Sequence, residues 1–170
     1  MGYEYEIALS LILTSETPQS VTDVVRYGIS LFESQSAKNQ LPELPEHAFF
    51  RKTDWEKVFC SVHSLLMPGD CFLRLSKETD ELYSMTMRIV PCADWETSLS
   101  FIHWISQFSW CDGYIGMFRD NHNAPRVTLF YREESTTYLV EVTPPVLGVS
   151  REEVEVVKCI VTDDGDLKVV

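Results

Sequence analysis

The side chains with the most chemical capacity in this chain are five cysteines and four histidines. Cys60 and His63 stand three apart. On a helix that spacing puts a thiol and an imidazole on one face. Cys71, Cys111 and His103 are the other candidates. Thiolate and imidazole would suit zinc, but closed structural zinc sites show two tight ligand pairs, and this chain offers at most one. The expectation is therefore no metal and no cofactor, with a buried thiol beside a boundary histidine. Cys60, Cys71, Cys92, Cys111 and Cys159 are odd in number and include no C-x-x-C pair. They read as small buried apolar residues rather than a disulfide framework. His47, His63, His103 and His122 are scattered, and no spacing brings one to a thiol, so no catalytic residue is assigned.

Two acidic clusters invite a cation and are better read as turns. Asp120-Asn121-His122-Asn123 has the composition that turns prefer. Asp163, Asp164 and Asp166 resemble part of a calcium loop, but the bidentate Glu that closes such a loop is missing before Val170. Phosphate-binding G-x-x-x-x-G-K and G-x-G-x-x-G patterns are absent, as is a G-x-S-x-G nucleophile elbow.

Charge is the stronger signal. The 170 residues carry a net charge of −12. Residues 1–50 hold −5, residues 51–132 hold −1, and residues 133–170 hold −6. A field of that sign repels nucleic acid and anionic membrane and attracts basic partners. No apolar run reaches the roughly 18 residues of a membrane span, and the N-terminus has no basic leader region. The expected home is the cytoplasm.

The elements that must position these groups are organised around a repeated string. Asp54-Trp55-Glu56 recurs as Asp94-Trp95-Glu96, an offset of 40 residues. At that offset Val62-His63 falls on Ile102-His103, and Cys71 on Cys111. Each copy reads as a helix followed by a hairpin, which predicts a tandem αββ repeat over 53–90 and 93–132. Asp suits a helix N-cap, and Thr53 with Glu56 has capping-box spacing, so two helices could also acquire this start independently.

Residues 3–13 alternate with period two, as a half-buried strand does. Val21, Val24, Val25, Gly28 and Phe32 recur at helical spacing after Ser20, with Gly28 expected where the helix approaches the sheet. The stretch 34–45 is an irregular connection. A helix over 54–66 shows an apolar stripe of Trp55, Val58, Phe59, Val62, Leu65 and Leu66. Strands follow at 71–76 and 82–90. The helix over 94–109 is apolar on more than half its surface, leaving an arc of Glu96, Ser100, His103 and Gln107 for water or a partner. Strands at 114–118, 126–132, 137–142, 154–161 and 167–170 complete the chain, the last two joined by Asp164-Gly165 in a type I′ turn. The expectation is one α+β domain over residues 1–170, a mainly antiparallel sheet with about three helices packed on one face.

Function is legible only as a class. The acidic ends, the over-apolar helix and the lack of a catalytic signature favour a non-enzymatic protein-binding domain, such as an inhibitor or immunity-type protein steered onto a basic partner. The candidate contact residues are Trp104, Trp110, Glu133, Glu134, Glu152, Glu153 and Glu155. Two other readings compete with it. One is a small-molecule-binding domain or enzyme with a pocket near His63, Cys60 and Cys71. The other is a homodimer formed through the helix at 94–109.

Overall fold

The computed structural model describes residues 5–34, 40–61, 71–79, 82–120, 127–142 and 156–170. In chain order these form β1 (Tyr5–Leu13), α1 (Gln19–Ser34), two 3₁₀ turns (Ala48–Arg51 and Trp55–Val58), β2 (Phe72–Lys77), β3 (Tyr83–Ile89), α2 (Trp95–Ser106), β4 (Gly113–Asp120), β5 (Val127–Glu133), β6 (Thr136–Val142), β7 (Val156–Val161) and β8 (Leu167–Val169). All eight strands join one antiparallel sheet, in the order β2-β3-β1-β4-β5-β6-β7-β8.

Strand β1 sits inside the sheet, paired to β3 on one side and β4 on the other. Its alternation sets the two faces. Tyr5, Ile7, Leu9, Leu11 and Leu13 are buried, while Ser10 and Ile12 are exposed. The buried row packs with Met85, Met87 and Ile89 of β3 against Val21, Val24 and Val25 of α1 and Leu99, Phe101 and Ile102 of α2. The helices therefore cover one face of the sheet. No helix lies on the other face among the described residues.

The expectation of three helices on an α+β sheet is overturned. Among the described residues the chain has two α-helices and is a mostly-β fold. The missing helix is the one expected over 54–66. Its described part is only the 3₁₀ turn Trp55–Val58, and residues 62–66 lie outside the described set. The reason is competition for carbonyls. The Cys92 amide donates to the Lys57 and Cys60 carbonyls, and Ser61 bridges to Pro91. Those carbonyls are the ones a continuing helix would need. Asp54 also makes no side-chain cap bond, whereas Asp94 accepts the Thr97 amide at 2.7 Å and starts α2. The repeated string thus opens two different local structures, and the tandem helix-hairpin repeat loses its first helix.

Two further expectations change in detail. Gly28 gives close approach to the Phe59 ring rather than to the sheet, since a Cβ there would overlap that ring. The β7–β8 connection is not type I′, which needs positive φ at both central residues. Only Gly165 is left-handed, at φ 86°. The Gly165 amide donates to the Thr162 carbonyl at 2.9 Å, and the Thr162 amide donates to Asp166 at 3.0 Å.

Candidate functional site

The described residues bring together one group of chemically capable side chains, His47, His103 and Asp163. One ligand atom from each lies within 4.8 Å of the others. Three elements deliver them. His47 precedes the first 3₁₀ turn, and its Nδ1 accepts the Phe49 amide at 3.1 Å. Capping fixes the ring. His103 projects from the third turn of α2 and is only 7% exposed. Asp163 comes from the β7–β8 turn, which is clamped onto α2 in two ways. The Ser100 hydroxyl donates to the Asp163 carbonyl. Gly165 also lies so close to the Glu96 carbonyl that a Cβ would not fit.

Within the group, His103 Nε2 is 3.0 Å from Asp163 Oδ1 and 2.8 Å from the Gln107 amide nitrogen. The His47 and His103 rings stack at 5.8 Å between centroids, 26° between planes. Because His47 Nδ1 is an acceptor, the neutral ring carries its proton on Nε2. That Nε2 is buried with no hydrogen-bond partner. Both imidazoles titrate below their ordinary 6.5. For His47 the main cause is burial, reinforced by the neighbouring His103 and by Arg51, and opposed by Asp163 and Asp164. For His103 it is again burial, opposed by the charge and hydrogen bond of Asp163 and by the Val161 backbone. Two neutral imidazoles and a carboxylate are therefore gathered at one place at neutral pH.

This group was only partly legible in the sequence. His103 was expected to face water or a partner, and it is buried instead. His47 sits in an irregular connection with no periodic pattern. Asp163 was read as a turn residue, which it is. Nothing local to any of the three signals the other two.

The residues singled out from sequence have other fates. Trp104 is 1% exposed, inside an aromatic cluster with Phe49, Phe50, Phe101 and Phe108, so it presents no surface to a partner. Trp110 is 59% exposed. Glu133 and Glu134 are exposed at the β5–β6 turn, with Glu133 3.5 Å from Lys158. Glu152, Glu153, Glu155, His63 and His122 lie outside the described residues. The Cys60 thiol donates to the Glu56 carbonyl, and Cys71 sulfur accepts from Ser61. Burial raises the pKa of Cys60 and of Cys92, which favours the thiol over the reactive thiolate. A shallow cavity of about 190 Å³ lies over β1, β3 and β4, walled by Phe72, Thr86, Arg88 and Tyr114, with no histidine or cysteine in its lining. The apolar surface of α2 is buried within the chain, from Thr97 through Ser106. This leaves little of that helix for a second copy.

No protein family, curated protein or solved structure matches this chain. No described helix is long and apolar enough to cross a membrane.

Proposed function

We propose that the protein is a non-enzymatic binding domain that takes a basic protein partner on its helix-covered side, in the manner of an inhibitor or immunity-type protein. The observation that supports this reading is the separation of charge between the two faces of the sheet. On the helix side and at its rim, exposed acids include Glu43, Glu46, Asp54, Asp94, Glu96, Asp163, Asp164 and Asp166. Fewer bases accompany them, and two of the local pairs involve neighbours in sequence, such as Lys57 with Asp54 and Arg26 with Asp23.

The open face has the opposite character. Register places Arg74, Arg88, Arg119, Lys158 and Lys168 on it, each opposite or beside a residue that points away from the helices. Among the described acids on it, Glu6 meets Arg88 and Arg119, Glu133 meets Lys158, and Glu78 accepts from Ser84. Among the described residues, a group of these acids lies where the His47 loop, the start of α2 and the β7–β8 turn meet. A concentrated field raises the encounter rate with an oppositely charged surface and disfavours wrong partners.

Capture of partners from native lysate, followed by a salt series on the recovered complex, tests the reading. A cationic partner whose affinity falls steeply with salt, and falls again in a D163N/D164N/D166N variant, is the expected result. A partner that binds equally well at high salt, or that ignores those substitutions, overturns it.

A further inference from the structure

We propose that His47, His103 and Asp163 form a site for one zinc-class divalent transition-metal ion, held through nitrogen and oxygen donors. Such a site would stand whether or not the protein binds a basic partner. Two imidazoles and a carboxylate are a recurrent set for zinc, and three protein ligands leave a fourth position for water or a partner's side chain. Of the three, Asp163 is exposed, His47 half-buried and His103 buried.

The second observation is the state of the rings. His47 Nε2 is buried without a partner, a condition that costs free energy unless something is bound there.

The separation of the donors sets a requirement. With metal–ligand bonds of about 2.0–2.1 Å, donors around a tetrahedral ion sit closer together than the outer limit of 4.8 Å found here. The group must tighten on binding, and the exposed Asp163 side chain is the part free to reorient while its backbone stays held to Ser100.

The tautomer sets a second requirement. A metal on His47 Nε2 displaces the proton that this nitrogen carries in the neutral ring. The ring stays neutral only if a proton is carried on Nδ1 instead, exchanged through solvent. Nδ1 now accepts the Phe49 amide, so a proton arriving there breaks that bond. Phe49 stacks on Trp104 at 5.9 Å. Occupancy of the site is therefore coupled to the first 3₁₀ turn and to the tryptophan beneath it.

The test uses the full chain and the metal alone. Zn²⁺ and Co²⁺ are titrated by calorimetry and absorption into the wild type, H47Q and D163N, with circular dichroism confirming that each variant is folded. Asp163 is exposed, so D163N isolates the ligand from the core. The expected result is one ion per chain, at least tenfold weaker binding in both variants, and no thiolate-to-cobalt charge-transfer band. Zinc should also shift the Phe49 amide resonance. Absence of saturable binding, equal affinity in all three proteins, or a cobalt spectrum dominated by thiolate would each overturn the assignment. The last outcome would place the ion on cysteines instead.

Discussion

His103 Nε2 lies 3.0 Å from Asp163 Oδ1, tying the third turn of α2 to the turn between β7 and β8. The bond joins a buried imidazole to an exposed carboxylate, so its strength follows pH. Both His103 and His47 have folded-state pKa values below the ordinary 6.5. As pH falls, the unfolded chain therefore takes up protons before the folded one does. Stability is complete above the unfolded value and declines as pH drops through it toward the folded values, then levels off. The urea midpoint should be lower at about pH 5.5 than at about pH 7.5, and the slope should flatten in H47Q. A midpoint independent of pH across that window would show that the rings are as free to protonate as in a peptide.

Two glycines should respond alike to alanine, for different reasons. Gly165 is left-handed and pressed against the Glu96 carbonyl, so Gly165→Ala is both strained and obstructed. A loss of about 1–3 kcal/mol is expected from the backbone alone, with more from the overlap. Gly28 lies inside α1, where alanine is ordinarily better by about 1 kcal/mol. Yet its Cβ would enter the Phe59 ring, which is fully buried and cannot retreat. Gly28→Ala should therefore destabilise. Thermal melts of both variants decide this, and a more stable G28A would mean that the Phe59 contact is looser than described.

Glu6 is 1% exposed on the open face, with Arg88 at 2.5 Å and Arg119 at 2.7 Å from its two oxygens. One buried carboxylate thus holds two guanidiniums from β3 and β4 across β1. Removing it takes away the carboxylate that the Arg88 and Arg119 guanidiniums share. Glu6→Ala should cost about 1.5–3 kcal/mol, the range for losing a hydrogen bond to a charged group, because both guanidiniums stay partly solvated. Glu6→Gln should cost less, because the amide keeps one acceptor oxygen. Chemical denaturation of both measures the gap. Equal losses would indicate that shape, rather than charge, matters at that position.

The strands were largely readable in the sequence because alternation is a local signal. Tyr5, Ile7, Leu9, Leu11 and Leu13 follow the period that a half-buried strand demands, and all five are buried. The helix expected from Trp55 onward failed because its apolar stripe was real but its carbonyls were claimed by Cys92, a contact that periodicity cannot register. The same limit applied to the candidate site. His47, His103 and Asp163 meet because a capped loop, a buried helix and a hairpin turn converge. Their spacing along the chain carries no trace of that. His103 was misplaced for a related reason. The polar arc of α2 was taken as its wet side; Glu96 and Gln107 are exposed, but Ser100 and His103 between them are buried and bond to the β7–β8 turn.

The two tryptophans grouped from sequence as contact residues should separate cleanly by experiment. Trp104 is enclosed by Phe49, Phe50 and Phe101, and its replacement opens a large cavity in that cluster. Trp104→Ala should lose about 3–5 kcal/mol or fail to fold. Trp110 stands 59% exposed where α2 passes into β4, and the link to β1 is its backbone amide, which donates to Ile12 at 2.7 Å. The alanine variant keeps that amide, so Trp110→Ala should change stability by no more than about 0.5 kcal/mol. Exposed tryptophans that cost little to remove from the free protein are the ones whose removal is informative in a complex, since any lost affinity then belongs to the contact. If W110A melts like the wild type and binds the captured partner more weakly, the partner reaches past the acidic rim to the end of the sheet. If its affinity is unchanged, contact is confined to the acids, and salt alone should account for the binding energy.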